Sequence, residues 1–230
     1  MRAALGFLTP LGGASTPSTA ALPWFPAVGA LVGLGVGAVW ELGGRLWPVA
    51  VVAVLAVVAD LALTGMLHLD GLADAGDGLL PHLPPERRLA VMAEPTVGAF
   101  GVVVVVAALL LRGAAFAGRE PDLVLVVLVW ATSRAGMAWA MARHPYARPG
   151  GLGDAFRDGP WWPGVVGVAV ALGVGLTSAD RLAAVAACWI GVLAVVALAR
   201  RRVGGWTGDV LGAAGVVGET VGLVVAAARW

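Results

Sequence analysis

The sequence predicts an all-α fold: a polytopic membrane helix bundle of about seven transmembrane helices, with its polar motifs on the cytoplasmic face. Three observations predict it. The 230 residues are 60% hydrophobic and only 13% charged, with a mean hydropathy of +0.90, a balance found in membrane-embedded rather than water-soluble chains. The apolar residues gather into runs close to the roughly 17–25 residues that cross a bilayer. Finally, the basic residues are all Arg, with no Lys in the chain, and they are shared unevenly between the gaps separating those runs.

The runs justify the elements in order. The first, 24–42, carries Gly29, Gly33 and Gly37, a small-residue face that lets helices pack closely and is a candidate for homo-oligomer formation. The second, 48–67, embeds one carboxylate, Asp60. The third, 97–112, is short and Val-rich and extends toward Phe116. The fourth, 121–142, encloses Ser133 and Arg134, and the fifth spans 161–178. The sixth, 182–199, holds Cys188, the single cysteine, so there is no disulfide framework. The seventh, 209–228, contains Glu219 nearly three turns inside. Trp24, Trp47, Trp161, Trp162 and Trp206 stand near run ends, where aromatic residues anchor at the interface. Neither a repeat nor a linker divides the chain, so 1–230 reads as one integral-membrane domain. The opening Met1–Leu8 is too short for a signal peptide before Pro10. A net charge of +1 gives no reason to expect nucleic acid as a partner.

Seven crossings put Arg2, Arg87, Arg88, Arg143, Arg148, Arg157, Arg200, Arg201 and Arg202 on one side. Arg45, Arg112, Arg119, Arg181 and Arg229 fall on the other, and Arg134 lies within a span. Nine against five makes the first side cytoplasmic by the positive-inside rule, in the cell's inner membrane. Every polar, Gly-rich motif lands on that side. A transporter would place such groups near the midplane, whereas an enzyme handling water-soluble phosphates would gather them at one face.

The most informative motif runs from His68 to Gly78. On a helix its Asp70, Asp74 and Asp77 stand at i, i+4 and i+7 and share a face. With no Arg among them the like charges repel, and a divalent cation resolves the conflict; hard oxygen ligands in this number suit Mg2+ completed by phosphate. The three glycines of the stretch favour close backbone approach to a ligand; the competing reading is a solvated acidic turn. His68, beside the presumed metal centre, reads as either a hydrogen-bonded helix end or a base for an attacking hydroxyl. From Glu94 to Gly101 a helix start offers amides to a phosphate and Glu94 to the metal, or else only a cap and packing glycines. Arg134 is either a phosphate ligand or the structural partner of Asp60. Tyr146, Arg148 and Gly151–Gly153 form a basic loop suited to an anion or planar base. Thr207 and Asp209 open the last helix, Thr207 as a hydroxyl ligand and Asp209 as a metal or phosphate contact or a plain helix-start charge. Glu219, so deep in an apolar helix, must be paired, protonated or functional.

Assembled, these residues resemble the cobalamin synthase (adenosylcobinamide-GDP ribazoletransferase) family. The family pattern FHxDGLADxxDG is met from His68 to Gly78, with Leu67 in place of the Phe. Met92 to Gly101 is similar to MRDPRIGAFG, and Ser133–Arg134, Tyr146–Arg148 with Gly151–Gly153, and Gly205–Ala213 fit as well. The departures are Glu94 for an Asp, Ala93 and Thr96 for Arg residues, and Val216 for the first of two carboxylates. The resemblance implies a transfer in which a hydroxyl of alpha-ribazole, or of its 5'-phosphate, attacks the cobinamide-linked phosphorus of adenosylcobinamide-GDP and GMP leaves. It implies Mg2+ held by Asp70, Asp74 and Asp77, with Glu94 and Asp209 completing the shell. Arg134 and Arg148 would hold phosphate, Tyr146 and Thr207 would contact substrate, and His68 would activate the hydroxyl. The alternatives are another Mg-dependent membrane transferase, of the CDP-alcohol phosphotransferase kind, and a cation transporter. The former lacks its Ala-Arg step here; the latter would use Asp60, Arg134 and Glu219.

Overall fold

Seven of the ten α-helices coincide with the seven apolar runs. The structure is a computed structural model that describes residues 1–13, 18–148, 152–175 and 178–228. Its helices are α1 (Arg2–Leu8), α2 (Phe25–Gly43), α3 (Val49–Thr64), α4 (Leu67–Leu79), α5 (Pro85–Val91), α6 (Ala99–Ala117), α7 (Leu123–Arg143), α8 (Trp162–Gly175), α9 (Ala179–Val203) and α10 (Gly208–Ala226). Gly150 and Gly151 of the basic loop and Arg229 of the sidedness count lie outside the described residues.

Among the described residues, five helices are long and apolar enough to cross a membrane: α2 with the short helical turn before it, α6, α7, α9 and α10. The pair α3–α4, bent by 91°, makes a sixth if counted as one. By itself α8, with 14 residues, reaches about 21 Å at 1.5 Å per residue, against a hydrocarbon core of about 30 Å. The apolar stretches of α7 and α10 are 78% and 72% buried, so these two helices form the centre and the others surround them.

Two expectations change. The Gly29, Gly33 and Gly37 face is used inside the chain, against α7. A Cβ at Gly29 would collide with the Trp130 carbonyl, and one at Gly33 would stand 2.9 Å from that of Val126. The face proposed for self-association is therefore occupied by the protein's own helix. Arg112, counted with the charges of the non-cytoplasmic side, lies five residues inside α6, which runs on to Ala117 in line with the extension toward Phe116, and its side chain is buried. Hydropathy assigned that charge to a side of the membrane, because it cannot see the partners awaiting it inside the bundle.

The second run breaks where its apolar pattern continues. Gly65 and Met66 both adopt positive φ, 59° each, the left-handed conformation that stops a helix and that a residue with a Cβ rarely enters. The turn sends α4 off the axis of α3. At 13 residues, about 20 Å, α4 is a short helix that does not cross on its own.

Candidate functional site

The site is built where α4 meets the first turns of α10 and α6. Glycines make both meetings possible. A Cβ at Gly71 would lie 2.9 Å from the Asp209 carbonyl, and one at Gly212 3.1 Å from His68 Cα, so α4 and α10 cross backbone to backbone. Gly76 packs against α6, and Gly78 against Met92 and the Arg88 carbonyl. The glycines read as room for a ligand are thus room for neighbouring helices. Arg88 fixes the far end of α4, donating to the carbonyls of Gly78, Leu79 and Pro81 at 2.8, 3.0 and 3.1 Å.

The three α4 carboxylates divide. Asp77 is buried and accepts hydrogen bonds from the amides of Gly98 (2.6 Å) and Gly101 (2.9 Å). It caps α6, taking the amides that the sequence offered to a phosphate. Asp70 is exposed and Asp74 half-buried, so both remain open to solvent. Asp209, at the start of α10, accepts from Arg148 at 3.1 Å and from the Thr207 hydroxyl at 3.2 Å, while Thr207 Oγ1 also accepts from the Val210 amide. Arg148 is held there because two loops are zipped together. Trp206 N donates to the Pro145 carbonyl and Ala147 N to that of Trp206, and Tyr146 lies 4.8 Å from the Trp206 ring.

Electrostatics marks this mouth as unusual. Loss of solvation, and then the charges of Asp70, Asp209 and Asp77, push the Asp74 carboxyl up to about 6; only Arg148 opposes them. Four carboxylates thus act with a single guanidinium among them. As the side chains stand, no three His, Cys, Asp or Glu among the described residues are grouped closely enough to surround a metal ion. Mg2+ rarely needs such a cage: one or two carboxylates suffice when water and phosphate oxygens supply the rest. The open pair Asp70 and Asp74, whose repulsion nothing on α4 relieves, fits that requirement. A groove of about 570 Å³ between α4 and α6 has Asp70 on its rim and Val97, Val102 and Val105 in its wall.

Other predicted residues lie elsewhere. Glu94 is exposed and only loosely paired with Arg87, at 3.7 Å. His68 is buried, against Gly212 of α10, and its Nδ1 has no partner among the described residues. Arg134 is inside the bundle, 1% exposed, paired with Glu219 and donating to Ser133 Oγ at 2.8 Å. Its partner is Glu219, not the Asp60 of the structural alternative. Asp60 belongs to Arg112, whose Nη1 stands 2.6 Å from it and whose Nη2 stands 2.7 Å from Glu219. Ser133 donates to Glu219 at 2.6 Å, Trp130 Nε1 to Asp60 at 2.8 Å, and Arg112 Nε to Thr220 at 2.9 Å. Two guanidiniums and two carboxylates make a neutral interior network joining α3, α6, α7 and α10. Sequence reasoning missed Arg112 and Arg88; the only signal for the first was an acid at each of two depths with a single intramembrane Arg to answer them.

Comparison with known proteins adds an independent finding. A family model described as Cobalamin-5-phosphate synthase matches residues 1–227. The chain is 37% identical over 245 residues to a Bradyrhizobium diazoefficiens protein named adenosylcobinamide-GDP ribazoletransferase, covering 99% of this chain and 93% of that one. Proteins of the same name from Brucella ovis and Brucella canis are 34% identical over 214 residues, covering 87% of this chain and 82% of theirs. No solved structure matches the chain.

Proposed function

This chain belongs to the cobalamin-5-phosphate synthase family, and from that membership we propose how its carboxylate mouth performs the family's transfer. The reaction is the last step of cobalamin nucleotide-loop assembly. The adenosylcobinamide phosphate moiety passes from adenosylcobinamide-GDP to alpha-ribazole or its 5'-phosphate. The acceptor hydroxyl forms a new bond to the cobinamide-linked phosphorus, the bond to GMP breaks, and GMP leaves. The rival readings, a CDP-alcohol type transferase or a cation transporter, are not favoured by the family.

The observation that carries the division of roles is the crowding of Asp70, Asp77 and Asp209 on Asp74 with only Arg148 opposed. Asp70 and Asp74 would hold Mg2+, with Asp209 turning from Arg148 to join them. When bound, the ion would neutralise the diphosphate and the leaving GMP oxygen. Arg148, freed from Asp209, would take a phosphate oxygen in the fork geometry that suits it. Thr207 would offer its hydroxyl beside it, and Tyr146 the edge of a platform for a planar base. The proton of the attacking hydroxyl passes to a carboxylate of the mouth, because His68 faces α10. Asp77 shapes the site by fixing α6, and Arg134 by fixing α7 to α10.

We place the mouth at the cytoplasmic surface of the inner membrane and count α3 and α8 among seven crossings. Taking the buried Arg112 out of the loop count leaves nine Arg against four, which supports that side. The test is GMP release by purified, lipid-reconstituted protein given adenosylcobinamide-GDP and alpha-ribazole phosphate. Release that requires both acceptor and Mg2+ is expected. Release without added metal, in the presence of a chelator, would remove the ion from the reading, and no release would remove the transfer itself.

A further inference from the structure

At the opposite ends of α3 and α6 from the carboxylate mouth lies a second polar pocket, of about 820 Å³. Its walls come from the end of α2 and the following turn (Trp40, Glu41, Arg45), the start of α3 (Val49) and the turn after α6 (Arg119, Glu120). Two N–H donors belonging to these walls are buried without a partner among the described residues: Trp40 Nε1 and Arg119 Nε. The Trp40 side chain is fully buried. The other nitrogens of Arg119 are engaged, Nη1 with the Ala226 carbonyl and Nη2 with Asp122 and Asp180, so Nε–H is the one left over. Helix α3 begins after Pro48 with no side-chain cap. Arg45, Glu41 and Glu120 are exposed and form no ion pair among the described residues.

A pocket ringed by the exposed Arg45, Glu41 and Glu120, none of them in an ion pair among the described residues, suits a ligand carrying both signs. Its position names the ligand's class. Apolar helices end here, Trp47 stands half-exposed beside it, and Val49 carries apolar surface outward, as at the headgroup layer of a bilayer. We propose that this pocket binds the headgroup of a phospholipid bearing a primary ammonium. The phosphate lies by Arg45 and the start of α3, where free amides favour an anion. The ammonium donates to Glu41 and Glu120. A quaternary ammonium has no N–H to give those carboxylates, so the pocket discriminates between the two common zwitterionic headgroups.

The test is native mass spectrometry of the delipidated full-length protein in detergent, titrated with dioleoyl phosphatidylethanolamine, dioleoyl phosphatidylcholine or inorganic phosphate. One phosphatidylethanolamine per chain is expected at concentrations where phosphatidylcholine is not retained. Glu41→Gln with Glu120→Gln should weaken that binding by about tenfold or more, the effect of losing hydrogen bonds to a charged group. Arg45→Gln, at an exposed position, should weaken it too and guards against a misfolded double variant. Equal retention of the two lipids, retention unchanged in both variants, or equally tight capture of phosphate alone would overturn the proposal.

Discussion

Replacing Glu219 by Gln removes one charge and keeps the shape of the side chain. In the native bundle the carboxylate accepts from Arg112 at 2.7 Å and from Ser133 at 2.6 Å, and it pairs with Arg134. All four side chains are essentially sealed from solvent. The amide would leave the interior with one uncompensated positive charge and would turn a donor toward groups that are themselves donors. Breaking a buried pair by removing one partner costs about 3–5 kcal/mol, and this acid serves two guanidiniums. The measurement is the unfolding free energy of the purified protein in mixed micelles titrated with sodium dodecyl sulfate. A loss of about that size is expected, with part of it recovered when Arg134→Met restores neutrality. A Glu219→Gln protein as stable as the parent but poor in turnover would refute the reasoning. It would return Arg134 to the substrate, one of the two roles open to it from the sequence.

Three further outcomes follow from the mouth and the packing. Asp74→Asn should lower turnover and weaken Mg2+ activation by about 10–100-fold, the scale on which altered coordination is felt; a normal magnesium titration of activity would count against it. Asp77→Ala should cost about 1–2 kcal/mol, as for a lost helix cap, while leaving the Mg2+ concentration for half-activation unchanged; a large rise in that concentration would make Asp77 a metal ligand after all. The Asp74 carboxyl is raised from 3.8 to about 6, so its protonated form favours the fold. In chelator, the stability it contributes is present below about pH 4 and lost as pH rises through about 6. Mg2+ should restore it at pH 7.5, which thermal unfolding against pH with and without the ion will show; identical curves would deny the cation a place.

The apolar helices were legible because such a helix in lipid needs no partner to declare itself: the run 121–142 and α7 (Leu123–Arg143) nearly coincide. The break after α3 was not, since Met66 gives no local sign that it will adopt a left-handed conformation. The motif at Asp70 and Asp74 was legible from helical spacing. Spacing also set Asp77 on that face, but could not reveal that two amides twenty-one and twenty-four residues on would claim it. Arg134 and Arg112 show the same limit at greater range. Which acid answers which base depends on four helices meeting, and no one-dimensional pattern carries that. Val216 is instructive here, because its backbone carbonyl, a group available from any residue, accepts from Arg112 at 3.0 Å.

The neutral network also sets a timetable for biogenesis. Asp60 is made before Arg112, so that guanidinium enters the bilayer with a counter-ion already threaded. Arg134 has no such precursor: its anion lies 85 residues downstream, in α10. At about 5–20 residues per second, the ribosome leaves Arg134 waiting for roughly 4–17 s. Helix α7 must spend that interval in the insertion machinery or with its Arg snorkelling toward water. Helix α10 also brings Asp209 to the mouth, so one helix both neutralises the interior and completes the carboxylate cluster.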